Sequence, residues 1–330
     1  MHQLPFEIAT RKILVKRDTP ADPTRGCIPE QRPIKELIKY GVVNIDKPRG
    51  PTSHQVSAYV QKILSISKSG HSGTLDPNVT GVLPVALSHA TKVTHSLLTA
   101  GKEYVGVMHL HKPVAEEELK KAIKAFTGTI EQLPPRKSAV KREERERDIY
   151  YFEILEIAEN DVLFRVGCQA GTYIRKLCHD IGEKLGCGAH MAELRRTKAG
   201  PFKEDTLATL QDLQDAWWYY EKNGEEKQLR KIIQPVEQAV AHLPKIWALD
   251  SAVSTLCHGA DLKMPGVAKV ETDIEKGTRV AVMTLKGELI ALGDAQMTSI
   301  EILEKEKGLA VKIEKVFMEP SAYGRKEESA

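Results

Sequence analysis

Residues 70–84 read Gly-His-Ser-Gly-Thr-Leu-Asp-Pro-Asn-Val-Thr-Gly-Val-Leu-Pro and set Gly70, Gly73 and Gly81 around one carboxylate, Asp76. Glycine permits positive φ and close backbone approach, and Pro77 confines Asp76 to extended conformations. The stretch therefore predicts a rigid, exposed loop that presents a single acid. A carboxylate presented in this way suits nucleophilic chemistry. The same residues also suit a plain structural turn, because Asp-Pro is common in turns, and the residues alone leave both readings open. The Gly-x-x-x-x-Gly-Lys-Ser/Thr spacing of a phosphate-cradling loop is absent, as are His-Glu-x-x-His and paired Cys/His motifs.

The elements that must position this loop follow from periodicity. Residues 41–46 form an apolar run that reads as a buried strand, and the turn Lys47-Pro-Arg-Gly-Pro51 stops it. Thr52 or Ser53 then caps a helix with Val56, Tyr59, Val60, Ile63 and Leu64 on one face. Residues 103–110 read as a strand, and residues 115–126 as a helix whose apolar side is Leu119, Ala122, Ile123 and Phe126. Residues 134–148 are polar and charged. Strands at 150–157 and 162–169 flank the turn Glu159-Asn-Asp161, and a helix over 172–185 ends at Gly186. A helical stretch spans 207–239 and carries Trp217, Trp218, Tyr219 and Tyr220, as core packing or a partner surface. Beyond Leu243 the runs 269–271, 278–285 and 288–292 alternate with glycines, which suggests a small barrel or sandwich. Residues 1–40 carry Pro5, Pro20, Pro23, Pro29 and Pro33. This is an arm that is either disordered or laid on something else, with Ile13-Leu-Val15 as a docking point.

Length and charge bound the possibilities. At roughly 150 residues per domain, 330 residues make about two domains. Hydrophobic residues at 41% and charged residues at 28% fit a globular chain and exclude wholesale disorder. Lys and Arg number 48 against 45 Asp and Glu, so the net charge of +3 neither suggests nor excludes nucleic acid. Five cysteines without a Cys-x-x-Cys pair argue against a disulfide framework or a zinc ribbon. No leader-like segment and no apolar run near 18 residues is present, so a cytoplasmic chain is expected.

The segment around Asp76 resembles the signature of pseudouridine synthases related to bacterial tRNA pseudouridine synthase B. Its wording is closest to the dyskerin branch, the catalytic subunit of box H/ACA ribonucleoproteins. Further blocks carry the resemblance in order. Val43-Asn-Ile-Asp-Lys-Pro-Arg-Gly-Pro-Thr-Ser-His54 is similar to the first motif, and Ala100-Gly-Lys-Glu-Tyr-Val-Gly106 to the tyrosine motif. Pro134-Pro-Arg-Lys-Ser-Ala-Val-Lys-Arg142 is similar to the mobile thumb loop. Gly171-Thr-Tyr-Ile-Arg-Lys-Leu177 and Gly188-Ala-His-Met-Ala-Glu-Leu-Arg-Arg196 are similar to the motif that supplies the arginine. His258-Gly-Ala-Asp-Leu262 with Pro265-Gly-Val267 resembles a PUA domain.

The resemblance implies an α+β protein: a mixed β-sheet catalytic domain with flanking helices over 41–243, a small β-barrel-like PUA domain over 244–320, an arm over 1–40 packed on the PUA domain, and a polar tail over 321–330. It implies Asp76 as nucleophile, attacking C1′ of the ribose or C6 of the base, with Arg175 as its bidentate partner and Tyr104 stacked on the flipped uracil. Lys47, His71, Tyr173 and Leu194 then belong to the substrate pocket, Lys47 and Pro48 in a supporting role. Lys141 and Arg142, with Arg145 and Arg147, would grip the RNA backbone from the thumb. Here the sequence departs from the family, since Glu143, Glu144, Glu146 and Asp148 interleave with those cations; a solvated charged helix is the alternative. Arg195, Arg196, Lys198 and Lys203 are expected to border the RNA channel. His258, Gly259, Asp261 and Gly266 would hold a guide RNA.

No redox change or external group is needed, so no cofactor and no metal are implied. The implied partners are guide RNA, rRNA and possibly tRNA, with the Nop-type, Gar-type and L7Ae-type core proteins. A stand-alone synthase acting on the tRNA T-arm is the competing enzyme reading. A non-catalytic RNA scaffold would need loss of Asp76, Tyr104 or Arg175, and all three are present.

Overall fold

The computed structural model describes residues 3–133 and 143–323. Lys141 and Arg142, with the rest of the expected thumb loop at 134–142, lie outside the described residues, as does most of the polar tail. The chain divides into two compact units that are not contiguous in sequence. One comprises Met1–Ile8, Val43–Val85 and Thr94–Gly224; the other comprises Ala9–Val42, Ala86–Val93 and Glu225–Ala330. No helix among the described residues is long and apolar enough to cross a membrane.

The first unit is built on a mixed sheet. Its strands run in the order Gly41–Lys47, Thr80–Leu87, Ala189–Ala199, Lys102–Leu110, Asp161–Cys168, Arg145–Ala158 and Gly128–Gln132. Thr80–Leu87 pairs parallel with Ala189–Ala199, and the latter pairs antiparallel with Lys102–Leu110. The helices Glu116–Ala125 and Ile174–Leu185 turn Leu119, Ile123, Leu177 and Ile181 into a core shared with Met108 and Phe164 of the sheet. Helix Ser53–Leu64 starts at a capping box, in which Thr52 accepts from the Gln55 amide and the Gln55 side chain accepts from the Thr52 amide.

Three features differ from the sequence reading. Residues 189–199, noticed only for their motif and basic run, form a long strand between two others, because Ala189, Leu194, Arg196 and Ala199 are all buried there. Strand Arg145–Ala158 begins inside the charged stretch that was expected to continue the thumb loop or to form a solvated helix. Residues 145–149 pair there with Gly128–Gln132, so Arg145 and Arg147 are strand residues. The single helical stretch over 207–239 is broken. Helix Leu210–Asn223 ends where Gly224 turns to φ +69°, and a short helix Lys227–Ile232 and a strand Ile233–Pro235 follow. On the first of these helices Trp218 and Tyr219 are exposed, and only Leu213 and Ala216 are buried.

The second unit holds a seven-stranded mixed sheet in the order Ile13–Val15, Val267–Glu271, Lys245–Ala248, Arg279–Met283, Leu289–Ala295, Leu309–Val316 and Leu262–Lys263. Strands from opposite ends of that order share one core, where Val270 meets the same cluster as Leu262 and Val311. That sharing is what a barrel-like arrangement requires. The proline-rich arm contributes the first strand, with Leu14 opposite Val270. Arg17 donates to the carbonyls of Met264 and Val267 at 2.9 and 3.0 Å. Arg32 forks onto Glu237 at 2.8 and 2.7 Å, with both side chains largely buried.

Candidate active site

The Asp76 loop is tied down from beneath. Lys47, the last residue of its strand, is completely buried. Its ammonium donates to the carbonyls of Pro48 at 2.9 Å, Pro77 at 3.1 Å and Val79 at 2.9 Å. Three carbonyl partners repay the burial of a charge that would otherwise be costly. Burial still lowers the Lys47 pKa, while the neighbouring Asp76 works in the opposite direction. Lys47 thus clips the limb that follows Asp76 to its own turn and has no surface to offer a substrate. Ser53, at the start of its helix, receives the Leu75 amide at 2.9 Å. The Val79 amide closes a turn on the Asp76 carbonyl at 2.9 Å. Gly81 has φ +100°, and a Cβ there would lie 2.2 Å from the Arg196 carbonyl oxygen, so only glycine lets the two strands meet.

Arg175 arrives from the opposite side, in the first turn of helix Ile174–Leu185. The N-cap of that helix, Tyr173, is fixed by Gln132, which accepts from the Tyr173 amide at 3.0 Å and donates to its carbonyl at 3.2 Å. Arg175 Nη2 reaches Asp76 Oδ2 at 2.6 Å, through one recorded bond rather than the bidentate pair expected. The two side chains are 54% and 49% exposed. An ion pair so exposed adds only about 0–1 kcal/mol to stability.

Tyr104 lies on strand Lys102–Leu110 directly opposite Arg196 and packs against the core that also holds Leu75, Val79 and Leu194. Burial raises its phenol pKa, and the positive charge of Arg196 opposes that rise. Leu194 is buried across from Gly106, where any Cβ would strike Leu194 Cδ1 at 2.7 Å. His71 sits in the short strand Ser69–His71, with Nε2 3.4 Å from Nδ1 of His54. Burial, with His54 and Arg196 adding to it, pushes His71 down to about 4, so its ring is neutral at pH 7. Asp76, Arg175 and Tyr104 therefore gather at one place, with Lys47 below. Ser53, Gln132 and Arg196 support the same place and were not singled out as site residues from sequence. For Arg196 the signals were the motif over 188–196 and a basic run, which pointed to an RNA channel instead.

That basic run does not form an open cationic surface. Arg195 forks onto Asp46 at 2.9 and 3.0 Å and also bonds Glu204 at 2.6 Å. Lys198 pairs with Glu7 at 3.1 Å and Glu103 at 3.3 Å, and Lys203 pairs with Glu7 at 2.7 Å. Arg196 is buried. Arg195, Lys198 and Lys203, expected to border an RNA channel, are thus each paired with an acid within the protein, and Arg196 is withdrawn from the surface.

In the second unit His258, Gly259 and Asp261 lie on one exposed turn after helix Asp250–Cys257. The His258 ring is bonded through Nδ1 to the Ser254 carbonyl at 2.7 Å, and Gly259 has φ +89°. Asp261 accepts the Ile313 amide at 2.8 Å. Gly266 is structural in its contacts, since a Cβ would sit 2.9 Å from that of Ala252. Among the described residues no group of three or more His, Cys, Asp or Glu is arranged to hold a metal ion.

Four family models match along the chain. The model of the TruB family pseudouridylate synthase N-terminal domain matches residues 61–118 and 111–174, and that of the tRNA pseudouridylate synthase B C-terminal domain matches 175–241. The PUA domain model matches 244–317, and the DKCLD (NUC011) domain model matches 1–57. The "Probable tRNA pseudouridine synthase B" of Methanopyrus kandleri is 55% identical over 321 residues, spanning 97% of this chain and 95% of that one. A chain in the crystal structure of a Cbf5-Nop10-Gar1 complex superposes with a TM-score of 0.94 at 56% identity, covering 98% of this chain and 99% of its own. A chain in a structure of an H/ACA RNP bound to a substrate RNA containing 2′-deoxyuridine gives 0.92 at 53%, covering 98% and 99%.

Fold and site together thus define an RNA pseudouridine synthase with a PUA domain. At this identity over nearly the full length, the chain belongs to the TruB family of pseudouridine synthases.

Proposed function

We propose that this enzyme isomerises uridine in rRNA as the catalytic subunit of a guide-RNA-dependent H/ACA particle, with Asp76 as nucleophile. The observation that carries the chemistry is the exposed Arg175–Asp76 pair at 2.6 Å, presented by a loop clipped from below and a helix start fixed by Gln132. The carboxylate attacks C1′, or C6 of the base, and later leaves. Arg175 aims it through the hydrogen bond to Oδ2. Tyr104 meets the flipped base, and His71, Tyr173 and Leu194 complete the pocket wall. Lys47 acts through the loop. A uridine in a duplex is out of reach, so it enters flipped or unpaired. Lys141 and Arg142 contribute backbone contacts from the thumb.

The likeness over 98% of the chain to a protein solved in a Cbf5-Nop10-Gar1 complex supports the guided reading. On that reading Nop-type, Gar-type and L7Ae-type proteins are its partners, and the site of action is the cytoplasm. The arm at 1–40 and the PUA domain at 244–320 form the RNA-holding part, with His258, Gly259, Asp261 and Gly266 at the guide, and 41–243 performs the isomerisation. The printed name of the Methanopyrus relative favours the second reading, a stand-alone enzyme acting on tRNA. The test is pseudouridine formation in one rRNA fragment and one tRNA, with and without guide RNA and partner proteins. The guided reading expects rRNA turnover only with the guide. Guide-independent turnover of the rRNA fragment overturns it, and turnover of tRNA by the protein alone favours the second reading.

A further inference from the structure

Arg196 is 1% exposed, and no carboxylate pairs with it among the described residues. A guanidinium removed from water without a counter-charge is costly unless its donors are used. Its bonds go to the catalytic elements themselves. Nε donates to the Val82 carbonyl at 2.7 Å, in the strand that leaves the Asp76 loop. Nη2 reaches the Gly73 carbonyl at 3.5 Å, in the limb that enters that loop. Its cross-strand neighbour is Tyr104, whose side chain packs in the core that also holds Leu75 and Val79. One planar fork thus joins the two limbs of the nucleophile's loop, directly across the sheet from the residue that meets the base.

The surrounding charges point the same way. Lys47 and Lys102 are also buried, and both donate to backbone carbonyls, Lys102 to those of Leu97, Leu98 and Ala100 at 2.8, 2.8 and 2.6 Å. Burial pushes Lys102 down to about 7, so the lasting positive charges beside the Asp76 loop are Arg196 and Lys47. In the isomerisation the N1–C1′ electron pair departs with the uracil ring, which becomes an anion. A C5–C1′ bond then forms from the ring's electrons, C5 loses its proton, and N1 gains one. Fixed positive charge held beside the ring favours the anionic stage without reorganisation.

We propose that Arg196 is a positioning residue of this reaction: it holds the Asp76 loop beside Tyr104, and its unneutralised charge favours the uracil ring released from C1′. This rests on the assignment of Asp76 and Tyr104 given above. The test is single-turnover pseudouridine formation by the assembled particle with guide RNA and partner proteins. It uses Arg196→Met, Arg196→Lys, Tyr104→Phe and the Arg196→Met/Tyr104→Phe double variant. Arg196→Met is expected to slow the step by about 10²-fold, the loss typical of a small misplacement in a site, with RNA affinity changed by less than about twofold. Arg196→Lys keeps the charge but cannot span the same oxygens, and is expected about tenfold slower than the parent with an unchanged unfolding temperature. In the Tyr104→Phe background the further cost of Arg196→Met should shrink to about threefold or less, because coupled residues are not additive. Equal losses in both backgrounds overturn the proposal, as does a parental rate from Arg196→Lys, which also decides the matter should Arg196→Met fail to fold. Asp76→Asn is measured alongside: product from that variant sinks the underlying site assignment, whatever Arg196 does.

Discussion

Replacing Lys47 by Met removes the clip beneath the nucleophile while keeping side-chain volume. Three carbonyls lose a charged donor, but Pro77 O keeps the Gly50 amide at 2.9 Å, so the main losses fall on Pro48 O and Val79 O. A buried acceptor left unsatisfied costs about 1–3 kcal/mol, which makes about 2–6 kcal/mol for two. Removing a buried ammonium returns part of this, and the expected net loss is about 2–4 kcal/mol. That loss is local, since Pro77 and Val79 follow Asp76 directly and Pro48 lies in the turn that is bonded to Pro77 through Gly50. Hydrogen exchange should therefore accelerate at the Gly50 and Val79 amides, whose acceptors are the Pro77 and Asp76 carbonyls. A loop loosened by about 1 Å should slow single-turnover pseudouridine formation by about 10²-fold. Parental exchange at both amides together with a parental rate would show that Lys47 does not hold the loop.

Three further outcomes follow from the site and its frame. Arg175→Ala should change unfolding stability by no more than about 1 kcal/mol, because the pair is exposed, and slow turnover by about 10²-fold or more; a large loss in denaturant midpoint with an intact rate would reverse that assignment. His71 has an ordinary value of 6.5 and a folded value of about 4. The unfolded chain takes up the proton first, so stability that is complete above pH 6.5 is lost as pH falls toward 4. The loss is about 1–2 kcal/mol after allowance for partial solvent screening. Urea melts across that range should show the slope in the parent and not in His71→Gln. Arg32→Met strands the buried Glu237 carboxylate, and thermal melts should register a loss of about 3–5 kcal/mol; a loss below about 1 kcal/mol would mean the arm is not fastened by this pair.

Much of this was legible in the sequence because the signals were local. Asp76 announced itself through the glycines and the proline around it, and helix Ile174–Leu185 through its periodicity and the closing Gly186. The residue that pairs with Asp76 is 99 positions away, and only the motif resemblance connected them. Arg196 was hidden for a different reason. A run of basic residues reads as a solvated face, and nothing local reveals that Asp46, Glu204, Glu7 and Glu103 come from other elements to neutralise Arg195, Lys198 and Lys203. Strand Ala189–Ala199 was obscured likewise, since a charged residue buried in a sheet breaks the apolar alternation that marks a strand. The break at Gly224 was visible as a glycine, but tertiary context decided that the chain would turn into a strand there.

The most direct test of the central claim is the Asp76→Asn variant in the assembled particle. The substitution keeps the shape of the side chain, and the loop is held by Lys47, Ser53 and Arg196 rather than by the carboxylate. RNA binding should therefore persist, while pseudouridine in the guided target falls below detection in a single-turnover assay. Pseudouridine formed at the parental rate by Asp76→Asn would contradict the nucleophile assignment.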